Sequence, residues 1–201
     1  MPAEFLSLVG FAFAASITPG PNNLMLMASG TNYGLRRTVP HLLGVWLGFT
    51  LMLVLIGLGM GQLFDRFPMI ELWLRGLCFA YLLYLAAKLA MAGSRVRGED
   101  ASTGRPLSFL QAAAFQWVNP KAWAMGLTAM GVYLPHEDWV SVVLVAAVFG
   151  LVNLPCISSW MLLGMKLRAF LNQPGRLRTF NVSMAVLLIA SVVPALLSGE
   201  L

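Results

Sequence analysis

Lys121 is the one strongly charged side chain near the centre of any long apolar stretch of this sequence, and it directly follows Asn119 and Pro120. On insertion scales a lysine at the centre of a membrane helix costs about 2.5 to 3.5 kcal/mol, so it must face protein or water and find a partner. Such a group suits the anionic part of a solute, or a proton-linked switch; holding freed backbone carbonyls is the plainer, structural alternative. About half the chain earlier stands Thr18-Pro19-Gly20-Pro21-Asn22-Asn23. Pro19 and Pro21 lack N–H groups, so the carbonyls near Ala15 and Ile17 lose their helical partners, and Gly20 is expected to take backbone conformations closed to other residues. A helix restarting near Asn22 presents unpaired N–H groups and the positive end of its dipole, which suits a carboxylate, while the Asn22 and Asn23 amides add donors and acceptors. A lone proline would be read as a simple kink; Pro-Gly-Pro between three polar side chains reads as a binding site. Asn153, two residues before Pro155, is expected to open a third irregularity beside it, although asparagine also serves as an ordinary bond between helices. The candidate substrate-binding residues are therefore Thr18, Pro19, Gly20, Pro21, Asn22, Asn23, Asn119, Pro120, Lys121 and Asn153.

The elements that must position these groups follow from composition. Hydrophobic residues make up 59% of the chain and charged residues 10%, where a soluble domain carries about a quarter charged residues. Mean hydropathy is +0.78. The apolar runs fall at roughly 4–28, 41–63, 70–92, 108–132, 139–163 and 180–198, each near the 20 residues a helix needs to cross a bilayer. The expected fold is an all-α membrane protein of six transmembrane helices, a single domain over 1–201, because no connection is long enough to bury a core of its own. Met1-Pro2-Ala3-Glu4 lacks the Lys or Arg of a signal-peptide n-region, so the first run is expected to be a helix of the mature chain.

The net charge of +5 reflects orientation rather than a nucleic-acid partner. Arg36 and Arg37, then Arg95, Arg97 and Arg105, then Lys166, Arg168, Arg176 and Arg178 follow the first, third and fifth runs. The alternate turns, with Arg66 and with His136-Glu137-Asp138, and the C-terminal Glu200 are poor in cations. The positive-inside rule then places both termini outside the cytoplasm. Three helices per half is an odd number, so a repeat relating 1–100 to 101–201 must be inverted, with breaks in helices 1 and 4 facing each other.

Other residues have plainer readings. Gly44 and Gly48 suit close helix packing. Met25, Met27, Met52, Met60 and Met125 suit gap-filling or lipid-facing positions. His41 suits a solvated or capping role as well as proton handling. Glu71 and Arg75 suit an interfacial pair, and Lys88 a snorkelling position. Nucleotide-binding, serine-hydrolase and zinc-protease motifs are absent, no cofactor is implied, and no carboxylate lies mid-span.

Ser16-Ile17-Thr18-Pro19-Gly20-Pro21-Asn22-Asn23, with Gly34-Leu35-Arg36 and the Gly44/Gly48 pair, resembles the opening of the LysE/RhtB family of bacterial amino-acid exporters. Phe115-Gln116-Trp117-Val118-Asn119-Pro120-Lys121 is similar to that family's fourth-helix motif, and Asn153-x-Pro155 with Trp160 and Gly164 to its fifth. The resemblance implies an inner-membrane secondary transporter, not an enzyme, exporting amino acids or close derivatives and driven by protons. The form with Asn22 looks nearest the cysteine/O-acetylserine branch. The implied partners are a small amino-acid substrate, the bilayer and protons, with a homo-oligomer left open. A membrane thiol-disulfide carrier of similar architecture is the alternative; it places a cysteine at each break, whereas Cys78 and Cys156 lie mid-helix. A nontransporting assembly factor is a third reading, and it predicts no cavity where helices 1, 4 and 5 meet.

Overall fold

The computed structural model describes residues 2–62, 66–92, 105–134, 138–171, 173–191 and 193. Over these it is helical: α1 (Pro2–Ile17), α2 (Pro21–Tyr33), α3 (Leu35–Leu55), which a π-turn, Ile56–Met60, prolongs, α4 (Pro68–Ala92), α5 (Phe109–Phe115), α6 (Pro120–Tyr133), α7 (Trp139–Phe170) and α8 (Pro174–Ala190). The 4–28 run becomes α1 and α2, the 108–132 run α5 and α6, and each pair is joined through an irregular segment. The other four runs each correspond to one long helix. The side chains of Glu71 and Arg75, and all of Arg95, Arg97, His136, Glu137 and Glu200, lie outside the described residues.

Local chemistry sets the boundaries. α2, α4, α6 and α8 each begin on a proline, where a missing N–H costs nothing because the first turn has no intrahelical acceptor for it. Asp138 accepts from the N–H groups of Val140 and Ser141 at 2.9 and 3.0 Å and so caps α7. Ser108 and Gln111 form a reciprocal capping box on α5. Only Gly34 separates α2 from α3; its φ of +75° strains any residue with a Cβ, and its N–H closes α2 on the Gly30 carbonyl at 3.0 Å.

The expected irregularity at Asn153 and Pro155 does not occur, since α7 runs unbroken through Pro155 for 32 residues. One missing N–H is tolerated inside a helix packed on both sides, and nothing there approaches the density of prolines found at Pro19-Gly20-Pro21.

Cross-helix contacts fix chain direction. Phe11 meets Phe149 and Thr31 bonds the Gly164 carbonyl, so α1 and α2 run parallel to α7. Trp46 bonds the Gly150 carbonyl and Gly57 faces Val142, so α3 runs antiparallel to α7. Gly44 faces Phe109 and Gly48 faces Ala113, so α3 runs parallel to α5. Backbone-close packing at Gly44 and Gly48 is thus as expected. The tightest joint is α2 on α7, where Gly30 lies on the Met161 carbonyl and Gly164 on the Met27 carbonyl.

The main core lies between α1, α3, α6 and α7, around Phe49, Met52, Trp123 and Phe149. Outward faces are apolar as well: Trp73 is 75% exposed, Leu110 74% and Leu151 69%. Apolar side chains spread over the outside of a helical bundle suit lipid, not water. Leu35–Met60 and α7 are each long and apolar enough to cross a bilayer. Met25, Met27 and Met52 are buried in these joints, and Met125 borders the cavity described next.

Candidate functional site

The chain between α1 and α2 leaves the helix at Thr18 and resumes it at Pro21. The carbonyls so freed are taken up by side chains from three helices. Asn23 Nδ2 donates to Ser16 O and Thr18 O at 2.8 and 2.9 Å, and Trp160 Nε1 donates to Ile17 O at 3.0 Å. Thr18 Oγ1 turns back to Ala14 O. Between α5 and α6 a single 3-10 turn, Gln116–Val118, leads to Asn119, whose φ of −94° and ψ of 107° are the extended values that a following proline imposes. Trp123 Nε1 donates to Trp117 O at 2.9 Å and ties this turn to α6.

The two breaks meet through Lys121. Its Nζ donates to Thr18 O at 2.6 Å and lies 3.4 Å from Pro19 O. Thr18 O therefore accepts from both Asn23 and an ammonium group, a charge-assisted bond about twice as strong as a neutral one. A second link spans the same junction: Asn22 Nδ2 donates to Gln116 Oε1 at 2.8 Å, and Gln116 Nε2 donates to Asn22 Oδ1 at 3.2 Å and to Ala112 O at 2.9 Å. Asn153, on α7, donates from Nδ2 to Ser16 Oγ at 3.0 Å.

Around this junction lies a small cavity of about 30 Å3, bordered by Gly20, Pro21, Asn22, Asn119, Lys121 and Asn153, with Phe49 and Met125 among its apolar walls. That is room for about two waters, so a solute larger than water needs the breaks to part. Among the described residues, Lys121 is the one charged side chain bordering the cavity. Asn119 Oδ1 and Asn153 Oδ1 are buried without a hydrogen-bond partner in the protein, and an unsatisfied buried acceptor costs on the order of 1 to 3 kcal/mol. A site holding one ammonium donor and two unpaired amide oxygens is complementary to a small molecule that carries both an anionic and a cationic end.

Of the ten residues predicted from sequence, Gly20, Pro21, Asn22, Asn23, Asn119, Lys121 and Asn153 border one cavity. Thr18 and Pro19 are exposed and contribute carbonyls, and Pro120 opens α6. Two expectations change. Gly20 has φ −173° and ψ 177°, extended backbone that any residue adopts; what glycine supplies is room, because a Cβ there would stand 2.7 Å from Lys121 Cδ. Asn23, 3% exposed and spent on Ser16 and Thr18, pins the break. His41 also departs from its solvated or capping reading: it is buried, with Nδ1 3.0 Å from Ser29 Oγ.

Gln116, Ser16 and Trp160 were not among the predicted site residues. Gln116 is fully buried, and its signal was available: an amide four residues before Pro120, inside an apolar run, must find partners. Ser16 and Trp160 are recognisable only once α1 and α7 are seen side by side.

The model of the LysE type translocator family matches residues 13–198. The chain belongs to that family. It is accordingly a membrane transporter and not an enzyme. This LysE-type chain is 31% identical over 191 residues to a cysteine/O-acetylserine efflux protein of Escherichia coli O139:H28 (strain E24377A / ETEC), covering 91% of the chain and 92% of the relative. Proteins of the same name from Escherichia coli (strain K12) and Shigella sonnei (strain Ss046) are each 30% identical over the same shares. No solved structure matches the chain. Among the described residues of this LysE-type chain, no group of His, Cys, Asp and Glu could hold a metal ion.

Proposed function

We propose that the chain exports a small neutral or zwitterionic amino acid, or a close derivative such as O-acetylserine, from the bacterial cytoplasm by alternating access around the cavity between the two breaks. The observation that carries this reading is the pairing of the Lys121 ammonium with two unpartnered acceptors, Asn119 Oδ1 and Asn153 Oδ1, at one cavity. The family membership and the names of the relatives support efflux of this class of solute.

Lys121 is spent on Thr18 O and Pro19 O. A zwitterion would exchange both ends of that contact. Its ammonium takes the Thr18 carbonyl with Asn119 Oδ1 and Asn153 Oδ1, and its carboxylate takes the released Lys121 together with the N–H groups at the start of α2. The substrate thereby replaces the direct tie between the breaks by one that runs through itself, and Pro19, Gly20, Pro21 and Pro120 act as the hinges. A ligand can shift a conformational equilibrium only through such a difference in contacts between two states.

The inverted repeat belongs to the same proposal. It is supported by the parallel course of α1–α2 with α7 and of α3 with α5, the directions six alternating spans would have. Arg168 beside the Gly34 turn, with Lys88 and Arg105 sharing a pocket with Tyr33, gathers cations at the end expected to be cytoplasmic. Both termini would then lie outside the cytoplasm. The proposed drive is the proton gradient, and Lys121 is the one titratable group bordering the cavity among the described residues.

The thiol-disulfide alternative is not favoured. Cys78 and Cys156 are free and buried, one on α4 and the other on α7, and neither borders the cavity. Efflux from vesicles loaded in turn with single amino acids, with and without a pH gradient, tests the proposal. Wild-type protein should export at least one small zwitterion, and Lys121→Ala should abolish that export while the variant remains folded and inserted. Undiminished export by Lys121→Ala would refute the central site.

A further inference from the structure

A second pocket opens where the C-terminal turns of α2 and α4 meet the segment before α5. Ser29, Asn32, Tyr33, His41, Lys88 and Arg105 border it. Lys88 and Arg105 are exposed, and among the described residues neither is paired with a carboxylate. His41 is 1% exposed; its Nδ1 is 3.0 Å from Ser29 Oγ and its Nε2 has no partner. Snorkelling accounts for Lys88 at a helix end, but it gives no reason for a second cation and a buried, half-satisfied imidazole to share its pocket. Two like charges at one small cleft are best neutralised by an anion, and the neutral polar groups beside them suit a polar remainder.

The place of this pocket along α2 gives the anion an identity. Asn22 borders the central cavity and Ser29 borders this one. Seven residues are two turns, so both project from one face of α2 about 10 Å apart. Met25, one turn beyond Asn22, lines the second pocket and is 7% exposed. It stands on the same stripe between the two cavities, and an unbranched thioether can change rotamer at little cost.

We propose that this pocket is a loading station for the exported solute, where Lys88 and Arg105 take its carboxylate before it passes Met25 into the central cavity. The inference rests on the efflux reading and extends it to a second site on the path. It is tested with labelled O-acetyl-L-serine and full-length protein in phosphatidylcholine vesicles, with substrate supplied separately to each face. Lys88→Gln/Arg105→Gln should raise KM about tenfold when substrate is supplied at the face carrying the Gly34 turn. At that face kcat should stay at the parental value; supply from the other face should leave KM unchanged while kcat falls by the same factor, since a variant cannot alter the ratio of the two kcat/KM values, and Lys88→Arg should behave as wild type. No change in KM, or an equal change from both faces, would overturn the loading station. An effect seen only when anionic phosphatidylglycerol is added would overturn it too, by making the pair a lipid headgroup site. Transport by Lys121→Ala would instead refute the central site and leave the Lys88 and Arg105 comparison readable. Absence of transport by the wild-type chain would sink both readings together.

Discussion

Gly20→Ala separates the position of the Lys121 ammonium from its charge. A Cβ at residue 20 would lie 2.7 Å from Lys121 Cδ and 3.1 Å from its Nζ, whereas carbon atoms rest at about 3.5 to 4.0 Å. The lysine side chain must therefore withdraw by about 1 Å, since it is the flexible partner. Its Nζ donates to Thr18 O at 2.6 Å, and that withdrawal carries it beyond the roughly 3.2 Å reach of a good N–H···O bond. Hydrogen bonds to charged groups contribute about 1.5 to 3 kcal/mol. Lys121 is only partly buried, which places the loss near the lower end, about 1.5 kcal/mol, or roughly tenfold in an equilibrium. The backbone adds nothing, because its extended conformation suits alanine as well as glycine. Efflux by Gly20→Ala should fall about tenfold, and the melting temperature should drop by a few degrees. The decisive measurement is a double-mutant cycle. If Gly20 acts only by leaving room for Lys121, the cycle read in melting temperature must be strongly non-additive, with Gly20→Ala costing little stability in the Lys121→Ala background. Wild-type efflux by Gly20→Ala, or independent effects in the cycle, would refute the reasoning.

Two further expectations concern the frame. Gly164→Ala would press a Cβ onto the Met27 backbone carbonyl, an atom that cannot swing aside, so α2 and α7 must part at a cost of about 1 to 3 kcal/mol; the melting temperature of the detergent-solubilised protein should drop by several degrees, and an unchanged value would contradict the packing described. Cys78→Ala/Cys156→Ala should export at the parental rate in the vesicle assay, since both thiols are buried away from the cavity, and loss of export with the fold intact would revive a redox role.

Much of the site was legible because proline chemistry is local. Pro19 and Pro21 remove N–H groups wherever they stand in a helix, so freed carbonyls near Ala15 and Ile17 followed from the sequence. Which groups satisfy them did not. Asn23 reaches back to Ser16 O and Thr18 O from the first turn of α2, and Trp160 reaches Ile17 O only because α7 lies alongside; a pairing across 143 positions leaves no local signature. His41 misled for the same reason: at a helix end it reads as solvated, yet α2 covers it and Ser29 binds it. Pro155 misled in the opposite sense, because a proline alone does not decide whether its helix breaks.

The sequence by itself determined that the chain is a helical membrane protein, that its first and fourth apolar runs break at Pro19-Gly20-Pro21 and at Asn119-Pro120, and that the one central charge is positive. These are consequences of composition, run length and the missing proline N–H, all of them properties of residues and their near neighbours. The tertiary structure alone decided that Lys121 rests on the Thr18 carbonyl, that Gln116 clasps Asn22, and that Gly20 is needed for space instead of for its torsion angles. Such choices depend on which helices lie side by side and how closely their backbones approach, and packing fixes that only once the whole bundle has closed.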